Sequence, residues 1–306
     1  MRQNKILITG ANSFLGKRLI ARLSKGNHQL LLTSLHSENQ SNIIEMNLTN
    51  VNNIKSIISK YKPDIIFHLA ALVDLSRDYQ IAKKCIDINI IGTLNLLETI
   101  KQVSVKKVVF ASTEEIYGDQ IIPFQENQVP NPPSPYSMTK MAGEYLCHQY
   151  ANQLNFDLLI FRIATFYGPQ NTQNRLIPQT IIKALKNETI YLNSGTKKRD
   201  YIFVDDVIDA FQKSLIITKK NRQQFIETIN LGGSVSYSLK NIVDLIISIT
   251  KSKSKIIYGY YPDRVGEADY WLMDITKAKS ILNWQPKTTL EQGLIKTVSF
   301  FKSTHN

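Results

Sequence analysis

The feature that most constrains the fold is the alternation of short apolar runs with longer amphipathic stretches in the first half of the chain. Runs of strand length separated by stretches of helical spacing predict a parallel sheet with helices on both faces and right-handed crossovers. Predicted strands are 5–9, 29–33, 43–46, 64–69, 107–112, 157–162 and 228–231, and predicted helices are 15–24, 51–60, 85–102, 136–154 and 204–216. The predicted fold class is therefore α/β, with a Rossmann-type doubly wound parallel sheet.

The second half of the chain is less regular and is punctuated by Pro and Gly. At 306 residues the chain is long enough for a large α/β domain with a smaller lobe. We expect residues 1–165 and 204–231 to form a dinucleotide-binding Rossmann domain. Residues 166–203 and 232–306 are expected to form a smaller α/β lobe that binds substrate.

A glycine-containing turn follows the first predicted strand, in the run Gly10-Ala11-Asn12-Ser13-Phe14-Leu15-Gly16. The first Gly permits the turn and the last lets helix and strand pack closely, which is how a chain cradles a dinucleotide pyrophosphate. Ser13 stands where a Gly usually lets the backbone approach the pyrophosphate, and its hydroxyl is expected to donate to a phosphate oxygen. This turn predicts a nicotinamide cofactor.

The end of the second predicted strand indicates which form of the cofactor binds. An acid that grips the ribose 2′-hydroxyl of NAD is expected there, but the chain has Ser34, followed by His36. Without a carboxylate nothing repels a 2′-phosphate, and both side chains can donate to one. The sequence therefore favours NADP over NAD, with NAD as the alternative because the loop has no Arg.

Tyr136 and Lys140 stand four residues apart, behind Ser134-Pro135, which fits a helix N-cap followed by the first helical position. The two side chains then lie one turn apart on one helix face. A free phenol titrates near about pH 10, so a base working near neutrality needs a shift of about 3 units, or about 4 kcal/mol. An ammonium about 5 Å away supplies about 3 kcal/mol at an effective dielectric of about 20. The pair predicts a base acting on an alcohol or ketone beside a nicotinamide.

A second polar cluster stands at the end of the fifth predicted strand, where ligands of open α/β sheets bind. Thr113 offers a hydroxyl to the reacting oxygen of a substrate. Glu114 and Glu115 follow it, and one of them is a candidate acid or base if burial and its neighbour raise its pKa. A solvated loop pair is the alternative.

The composition narrows the partners and the compartment. The net charge of +12 suits nucleic acid, but no aromatic residues interleave the lysines as single-strand binders require, so we expect a lysine-rich surface and no nucleic-acid partner. No apolar run approaches the roughly 18 residues of a membrane span. Cys85 and Cys147 are too few and too isolated for disulfides or a metal site. We expect a cytoplasmic protein with no metal and no membrane partner.

Several motifs together resemble the extended short-chain dehydrogenase/reductase family, and within it the nucleotide-sugar epimerase/dehydratase branch. The matching segments are 9–16, 64–71, 89–93, 112–118, 136–140, 167–169, 199–206, 230–233, 274–278 and 282–286. The resemblance covers essentially the whole chain, and Ser13 and Ser34 are its departures.

The resemblance implies roles for particular residues. Thr113, Tyr136 and Lys140 are expected to be the catalytic triad, and a nucleotide-diphosphate sugar is the expected substrate. The expected cofactor contacts, besides those of the glycine turn, are Ser34, His36, Asn47, Leu48, Leu69, Ala70, Ala71, Tyr136 and Lys140. The expected substrate contacts are Arg199, Arg264 and Asn230, since guanidinium groups suit a diphosphate.

The reaction stays open among three kinds. We expect an epimerase that acts by hydride transfer at C4 of the sugar, with Tyr136 as base. A 4,6-dehydratase using Glu114 and Glu115 is an alternative, although Glu114 replaces the Asp that dehydratases use. An NADPH-dependent 4-keto-6-deoxy-sugar reductase is another, and a non-catalytic NADP-binding scaffold is a remote one.

The resemblance also implies a homodimer through a four-helix bundle, built from helices 85–102 and 136–154 of each subunit. Side chains proposed to face the partner are Ile88, Ile91, Leu94 and Leu97. The alternative is that they face the sheet.

Overall fold

A computed structural model of the chain describes residues 3–37, 42–217, 224–263 and 268–304. The strands are β1 (Lys5–Thr9), β2 (Gln29–Ser34), β3 (Ile43–Glu45), β4 (Ile65–His68), β5 (Lys107–Thr113), β6 (Asp157–Ile163), β7 (Thr165–Tyr167), β8 (Ile190–Tyr191), β9 (Lys198–Phe203), β10 (Ile226–Leu231), β11 (Ser236–Ser238) and β12 (Ile256–Ile257). The α-helices are α1 (Phe14–Leu23), α2 (Val51–Tyr61), α3 (Tyr79–Cys85), α4 (Gly92–Ile100), α5 (Pro135–Leu154), α6 (Leu176–Leu185), α7 (Val204–Ser214), α8 (Leu239–Thr250), α9 (Thr276–Leu282) and α10 (Leu290–Thr304).

The largest sheet has seven strands in the order β10-β6-β5-β4-β1-β2-β3. The pairs β1–β2, β1–β4, β2–β3 and β4–β5 are parallel. From the centre of the sheet the order is β1-β2-β3 toward one edge and β4-β5-β6-β10 toward the other. This is the doubly wound arrangement, in which ligands bind where the direction changes, between β1 and β4. The predicted Rossmann-type parallel sheet is confirmed.

The chain divides into two compact units. The first is Met1–Ile116, Pro132–Arg162 and Ala210–Ile229, and the second is Tyr117–Asn131, Ile163–Asp209 and Asn230–Asn306. The second unit thus includes 117–131, 163–165, 204–209 and 230–231, which were predicted to belong to the larger domain. The binding roles assigned to the two predicted domains stay predictions.

The core of the first unit forms where amphipathic helices cover the parallel sheet. Ile54 and Ile58 of α2 are fully buried at a spacing of four, as one apolar helix face requires. Leu97 of α4 is only 1% exposed and belongs to this core, and Leu94 is partly buried against it. The expectation that Leu97 faces a partner subunit is therefore wrong, because its side chain packs toward the sheet.

A π-helical segment interrupts the helix expected over 85–102. The helical stretch begins earlier, with α3, and Ile86–Ile91 forms a six-residue π-segment before α4 continues. Within this segment Asn89 is buried, at 3% exposure. Apolar spacing did not predict the change of pitch, because a π-turn adds one residue without changing composition.

The second unit is a smaller α/β assembly. It contains a three-stranded sheet, β11-β9-β7, and a two-stranded sheet, β12-β8. Its core joins apolar residues of α6, α8 and α10 to those of β9. The predicted smaller α/β lobe is thus present as a fold. None of the helices in the described ranges has the length and the apolar composition that crossing a bilayer requires.

Candidate active site

The glycine turn after β1 has the geometry that the sequence predicted. Gly10 has a φ of +72°, which favours glycine, and a Cβ there would lie 2.8 Å from the backbone nitrogen of Ala70. A Cβ on Gly16 would lie 2.3 Å from the carbonyl oxygen of Gly10. Both distances are shorter than van der Waals contact, so the turn and the close packing of α1 on it require glycine at both positions.

Polar groups around this turn fit a dinucleotide. Ser13 is the N-cap of α1, and its Oγ accepts the N–H of Gly16 at 3.0 Å, so its own hydroxyl proton remains available to an anion. Asn12 donates its Nδ2 to the carbonyl of His36 at 2.7 Å. Its Oδ1 is buried and has no hydrogen-bond partner among the described residues. A buried acceptor without a donor is unfavourable, so this oxygen fits a ligand that carries hydroxyl groups, such as the riboses of NAD.

The carboxyl ends of β2 and β3 contain a carboxylate that the sequence analysis missed. Ser34 is half-buried and pairs in register with Glu45 at the end of β3. Oε1 of Glu45 accepts both the backbone N–H of Ser37 at 3.0 Å and its hydroxyl at 3.1 Å. These bonds, with the nearby His36, lower the pKa of Glu45. The neighbouring strand therefore brings a negative charge to the place where β2 lacks one.

The remaining predicted cofactor residues belong to two loops of the first unit. Asn47 and Leu48 lie between β3 and α2, where the Oδ1 of Asn47 accepts the N–H of Thr49 at 3.0 Å and Leu48 is buried. The segment 69–71 directly follows β4, and its Ala70 lies against the Gly10 turn. Binding by these residues stays a prediction.

Helix α5 carries the predicted base and its lysine. Ser134 is the N-cap with a reciprocal hydrogen bond to Ser137, and Pro135 is the first helical residue, as the sequence predicted. Tyr136 is 8% exposed and Lys140 3%. The Lys140 ammonium lies 4.0 Å from the centroid of the Phe110 ring of β5, so the helix docks on that strand through a cation–π contact. Burial lowers the pKa of Lys140 to about 8.

Thr113 is the last residue of β5, three positions after the ring that Lys140 contacts. Its Oγ1 accepts the N–H of Glu115 at 3.2 Å, which leaves the hydroxyl proton available to a ligand. Glu114 and Glu115 open a short 3-10 helix, and both are buried, at 2% and 7% exposure. Thr113 thus ends the strand against which the helix of Tyr136 packs. The catalytic roles of these residues stay predictions.

A buried ion pair, which was not predicted from the sequence, joins α5 to β6. Glu144 stands one turn beyond Lys140, and the guanidinium of Arg162 on β6 donates Nη2 to its Oε2 at 2.7 Å and Nε to its Oε1 at 3.1 Å. Ser112 donates its hydroxyl to the same carboxylate. Both charged side chains are only 6% exposed. The carboxylate of α5 and the guanidinium of β6 thus neutralise each other.

Arg199 lies on β9 in the second unit and is 8% exposed. Its guanidinium carbon is 4.4 Å from the centroid of the Trp271 ring, and its Nη1 donates to the carbonyl of Lys198 at 2.7 Å. The indole Nε1 of Trp271 is buried without an acceptor in the part of the chain that is described. Stacking on an aromatic ring holds a guanidinium in one plane.

Asn230 is fully buried, and its side chain is hydrogen-bonded within the second unit. Oδ1 accepts the hydroxyl of Tyr117 at 2.7 Å, and Nδ2 donates to the carbonyls of Phe124 at 2.9 Å and Asp274 at 3.3 Å. These bonds give Asn230 a structural role, and a contact with substrate stays a prediction. The other predicted substrate contact, Arg264, lies outside the described residues.

Comparisons with known proteins agree with the fold and the motifs. The family model described as the NAD dependent epimerase/dehydratase family matches residues 6–232. The UDP-glucuronate 4-epimerase of Thermodesulfobacterium geofontis is 31% identical, over 97% of this chain and 95% of the relative. The dTDP-glucose 4,6-dehydratase of Haemophilus influenzae is 29% identical, over 97% of each chain.

Solved structures are similar over the whole length. The UDP-glucose 4-epimerase of Thermotoga maritima, solved with UDP-glucose, has a TM-score of 0.91 at 28% identity and covers 99% of this chain and 100% of its own. The UDP-glucuronic acid 4-epimerase of Bacillus cereus, solved with UDP-glucuronic acid and NAD, has a TM-score of 0.87 at 27% identity and covers 98% and 99%. These findings confirm the resemblance that the motifs indicated: the chain is an enzyme of the NAD-dependent epimerase/dehydratase family.

Proposed function

We propose that the protein is a nucleotide-sugar 4-epimerase that uses NAD and that Tyr136 is its base. The observation that carries the proposal is the buried pair of Tyr136 and Lys140, one turn apart at the start of α5. The names of the similar proteins, which include epimerases of UDP-glucose and UDP-glucuronate, support a UDP-sugar as substrate.

Three side chains have separate roles in the proposed reaction. Tyr136, as the phenolate, removes the proton from the C4 hydroxyl of the sugar and later returns it to the ketone oxygen. Lys140 stabilises the phenolate, and Thr113 donates its hydroxyl proton to the reacting oxygen. NAD, when bound, would supply the acceptor and donor of the hydride at C4 of the sugar. Return to the opposite face of the sugar leaves the mass of the substrate unchanged.

The electrostatics of Lys140 suit this role. With a pKa of about 8, roughly nine-tenths of the side chain carries a proton at pH 7. Because this pKa lies just above neutrality, the ammonium is charged near pH 7 and loses its proton in mild alkali. A cation in a buried environment attracts a phenolate more strongly than one in water.

Arg199 is proposed to bind the diphosphate of the substrate. A guanidinium group donates in a planar fork that matches phosphate oxygens, and the ring of Trp271 keeps that plane fixed. We expect Arg199→Ala to weaken nucleotide-sugar binding by about 2 kcal/mol, through loss of charge-assisted hydrogen bonds. Isothermal titration with UDP-glucose measures the change, and unchanged affinity would remove Arg199 from the site.

The proposed cofactor is NAD and not NADP, because Glu45 holds a negative charge at the end of β2 and β3. A like charge near the site disfavours a bound 2′-phosphate. We expect Glu45→Gln to narrow the preference for NAD over NADP, measured as the ratio of the two dissociation constants. Glu291→Gln, which removes an equally exposed charge from α10, is the control. An unchanged preference in Glu45→Gln would show that Glu45 does not select the cofactor.

A 4,6-dehydratase is the second candidate, favoured by the burial of Glu114 and Glu115. Buried carboxyl groups are suited to proton transfer because burial disfavours the charged form. In that reaction the 4-keto stage makes the C5 hydrogen acidic, and a base removes it while an acid protonates the departing C6 hydroxyl. The dTDP-glucose 4,6-dehydratase among the similar proteins supports the comparison.

One experiment separates these reactions. UDP-, GDP-, dTDP- and CDP-sugars, including 4-keto-6-deoxy forms, are incubated with the enzyme and NAD or NADPH, and the products are analysed by mass spectrometry and chromatography. A new isomer of unchanged mass supports the epimerase, loss of one water supports the dehydratase, and gain of two hydrogens supports a 4-keto reductase. No product from any sugar would refute all three and favour the cofactor-binding scaffold.

We also propose a homodimer whose interface includes the outer faces of α5 and the preceding helical segment. Ile86 and Ile91 of the π-segment are 38% and 41% exposed, and Tyr145 of α5 is 63% exposed. These apolar side chains fit a helix-to-helix contact with a second copy. Light scattering of the Ile91→Asp variant tests this. We expect a shift toward monomer, and a wild-type protein that is already monomeric refutes the proposal.

A further inference from the structure

His68, the last residue of β4, is a buried titratable group that takes no part in the proposed proton transfers. It is 1% exposed, with Nδ1 2.8 Å from Oγ1 of Thr9 and Nε2 3.0 Å from Oγ1 of Thr93. Burial and the positive charge of Lys140 lower the pKa of His68 to about 3. The imidazole is therefore neutral at physiological pH and has one donor and one acceptor nitrogen.

The hydrogen bonds around His68 determine which nitrogen carries the proton. Thr93 donates its hydroxyl proton to the carbonyl of Asn89 at 2.6 Å, so its oxygen must accept from Nε2–H of His68. Thr9 uses its oxygen to accept backbone N–H groups, so its hydroxyl proton is free to donate to Nδ1. Only the Nε2–H tautomer satisfies both threonines.

Thr9 fixes the beginning of the segment that follows β4. Its Oγ1 accepts the N–H of Leu69 at 3.2 Å and the N–H of Ala70 at 3.1 Å. The backbone of Ala70 is also what a Cβ on Gly10 would meet, at 2.8 Å from the nitrogen. The hydroxyl that His68 orients therefore ties this segment to the glycine turn of the cofactor site.

Asn89 fixes the other end of the same segment. Its Oδ1 accepts the N–H of Leu72 at 2.7 Å, and its Nδ2 donates to the carbonyl of Leu72 at 3.0 Å. The second hydrogen of Nδ2 goes to Oγ1 of Thr139 at 2.9 Å, and Thr139 donates to the carbonyl of Tyr136 at 2.7 Å. A chain of buried hydrogen bonds thus runs from β1 through His68 to the backbone of the catalytic tyrosine.

We propose that His68 is a positioning residue, which as the neutral Nε2–H tautomer fixes the backbone of residues 69–72. This backbone lies between the glycine turn and α5, so its placement sets where a cofactor at the turn stands relative to Tyr136. The inference rests on the proposed role of Tyr136 as base. It assigns His68 no contact with substrate and no proton transfer.

Two threonines of α4 provide a matched test. Thr93 and Thr99 are both buried, and each donates its hydroxyl to the carbonyl four residues earlier, at 2.6 Å and 2.7 Å. Thr93→Val and Thr99→Val each remove one such bond and keep the side-chain shape. Only Thr93→Val also leaves the Nε2–H of His68 without its acceptor.

We expect Thr93→Val to lower kcat by about 10- to 100-fold, as a misplaced reacting group does, and to weaken NAD binding. In Thr99→Val both quantities should stay near wild type, and in Thr93→Ser both should recover, because the hydroxyl is retained. Thermal unfolding of all three variants corrects for any loss of stability. Equal effects of Thr93→Val and Thr99→Val would overturn the proposal.

A spectroscopic measurement tests the tautomer without turnover. ¹⁵N NMR of labelled protein, with the His68 signal assigned as the one absent in His68→Gln, should show a protonated Nε2 and an unprotonated Nδ1 from about pH 5 to 8. A protonated Nδ1 in this range overturns the proposal. If no nucleotide sugar is turned over, the proposed function fails, whereas the NMR signal and the NAD affinity still test the positioning role of His68.

Discussion

The buried pair of Glu144 and Arg162 leads to a prediction whose size follows from the geometry. Glu144→Gln keeps the shape of the side chain but removes the negative charge that faces the guanidinium of Arg162 at 6% exposure. The bond from Nη2 of Arg162 to Oε2 is lost, because an amide NH2 group there is a donor. The bonds from Nε of Arg162 and from Ser112 to the remaining oxygen lose the charge of their acceptor. Breaking one partner of a buried ion pair typically lowers the free energy of unfolding by about 3–5 kcal/mol.

Urea unfolding followed by circular dichroism measures this loss. The matched control is Glu98→Gln, since Glu98 pairs with Lys101 at 44% and 34% exposure, and an exposed pair of this kind contributes about 0–1 kcal/mol. Replacing both buried partners, as in Glu144→Leu with Arg162→Met, should recover most of the loss because no unpaired charge remains.

Two results would refute the reasoning. A loss below about 1 kcal/mol in Glu144→Gln would mean that water reaches the guanidinium and that the pair behaves as an exposed one. A double variant as unstable as Glu144→Gln would mean that packing, and not the unpaired charge, dominates.

Tyr136→Phe should abolish turnover while nucleotide-sugar affinity stays near wild type, because only the proton-transferring oxygen is lost; an active variant would contradict the assignment. Burial lowers the pKa of Lys140 to about 8, so the ammonium is present below that pH and lost above it, and we expect kcat to fall as the pH rises through about 8. A kcat that stays level up to about pH 10, where an ordinary lysine titrates, would show that Lys140 is not needed in its charged form. Burial raises the pKa of Asp200 to about 6. One oxygen of its carboxylate accepts the backbone N–H of Gly233, and the other accepts that of Met273. Asp200→Asn turns one of these acceptors into a donor, so we expect it to lower the free energy of unfolding by about 1–3 kcal/mol. Urea titration checks this, and an Asn variant as stable as wild type would contradict it.

The local signals in the sequence were sufficient for the sheet and for the two ends of the candidate site. The glycine turn and the start of α5 depend on residues close in sequence, whose conformational preferences are strong: Gly10 at positive φ, and Ser134 with Pro135 at a helix start. Alternation of apolar runs gave the strands, because buried parallel strands need continuous apolar sequence.

The contacts that sequence reasoning missed join residues far apart in the chain. Arg162 of β6 forms an ion pair with Glu144 of α5. The guanidinium of Arg199 stacks on the ring of Trp271, which lies 72 positions later in the sequence (271 minus 199). The carboxylate near β2 was missed for a related reason: Glu45 comes from the neighbouring strand, and only the register of β2 with β3 places it beside Ser34. No periodicity or turn signal encodes such pairs.

The π-segment Ile86–Ile91 makes the helical stretch that holds Asn89 sensitive to chain length. An α-helix turns by about 100° per residue, so deleting one residue of the segment after Asn89 would restore regular pitch but rotate Asn89 and the side chains before it relative to α4. Asn89 could then no longer face both Leu72 and Thr139. We therefore expect a one-residue deletion here to disrupt the site although it makes the helix more regular, whereas a deletion in an exposed loop should be tolerated.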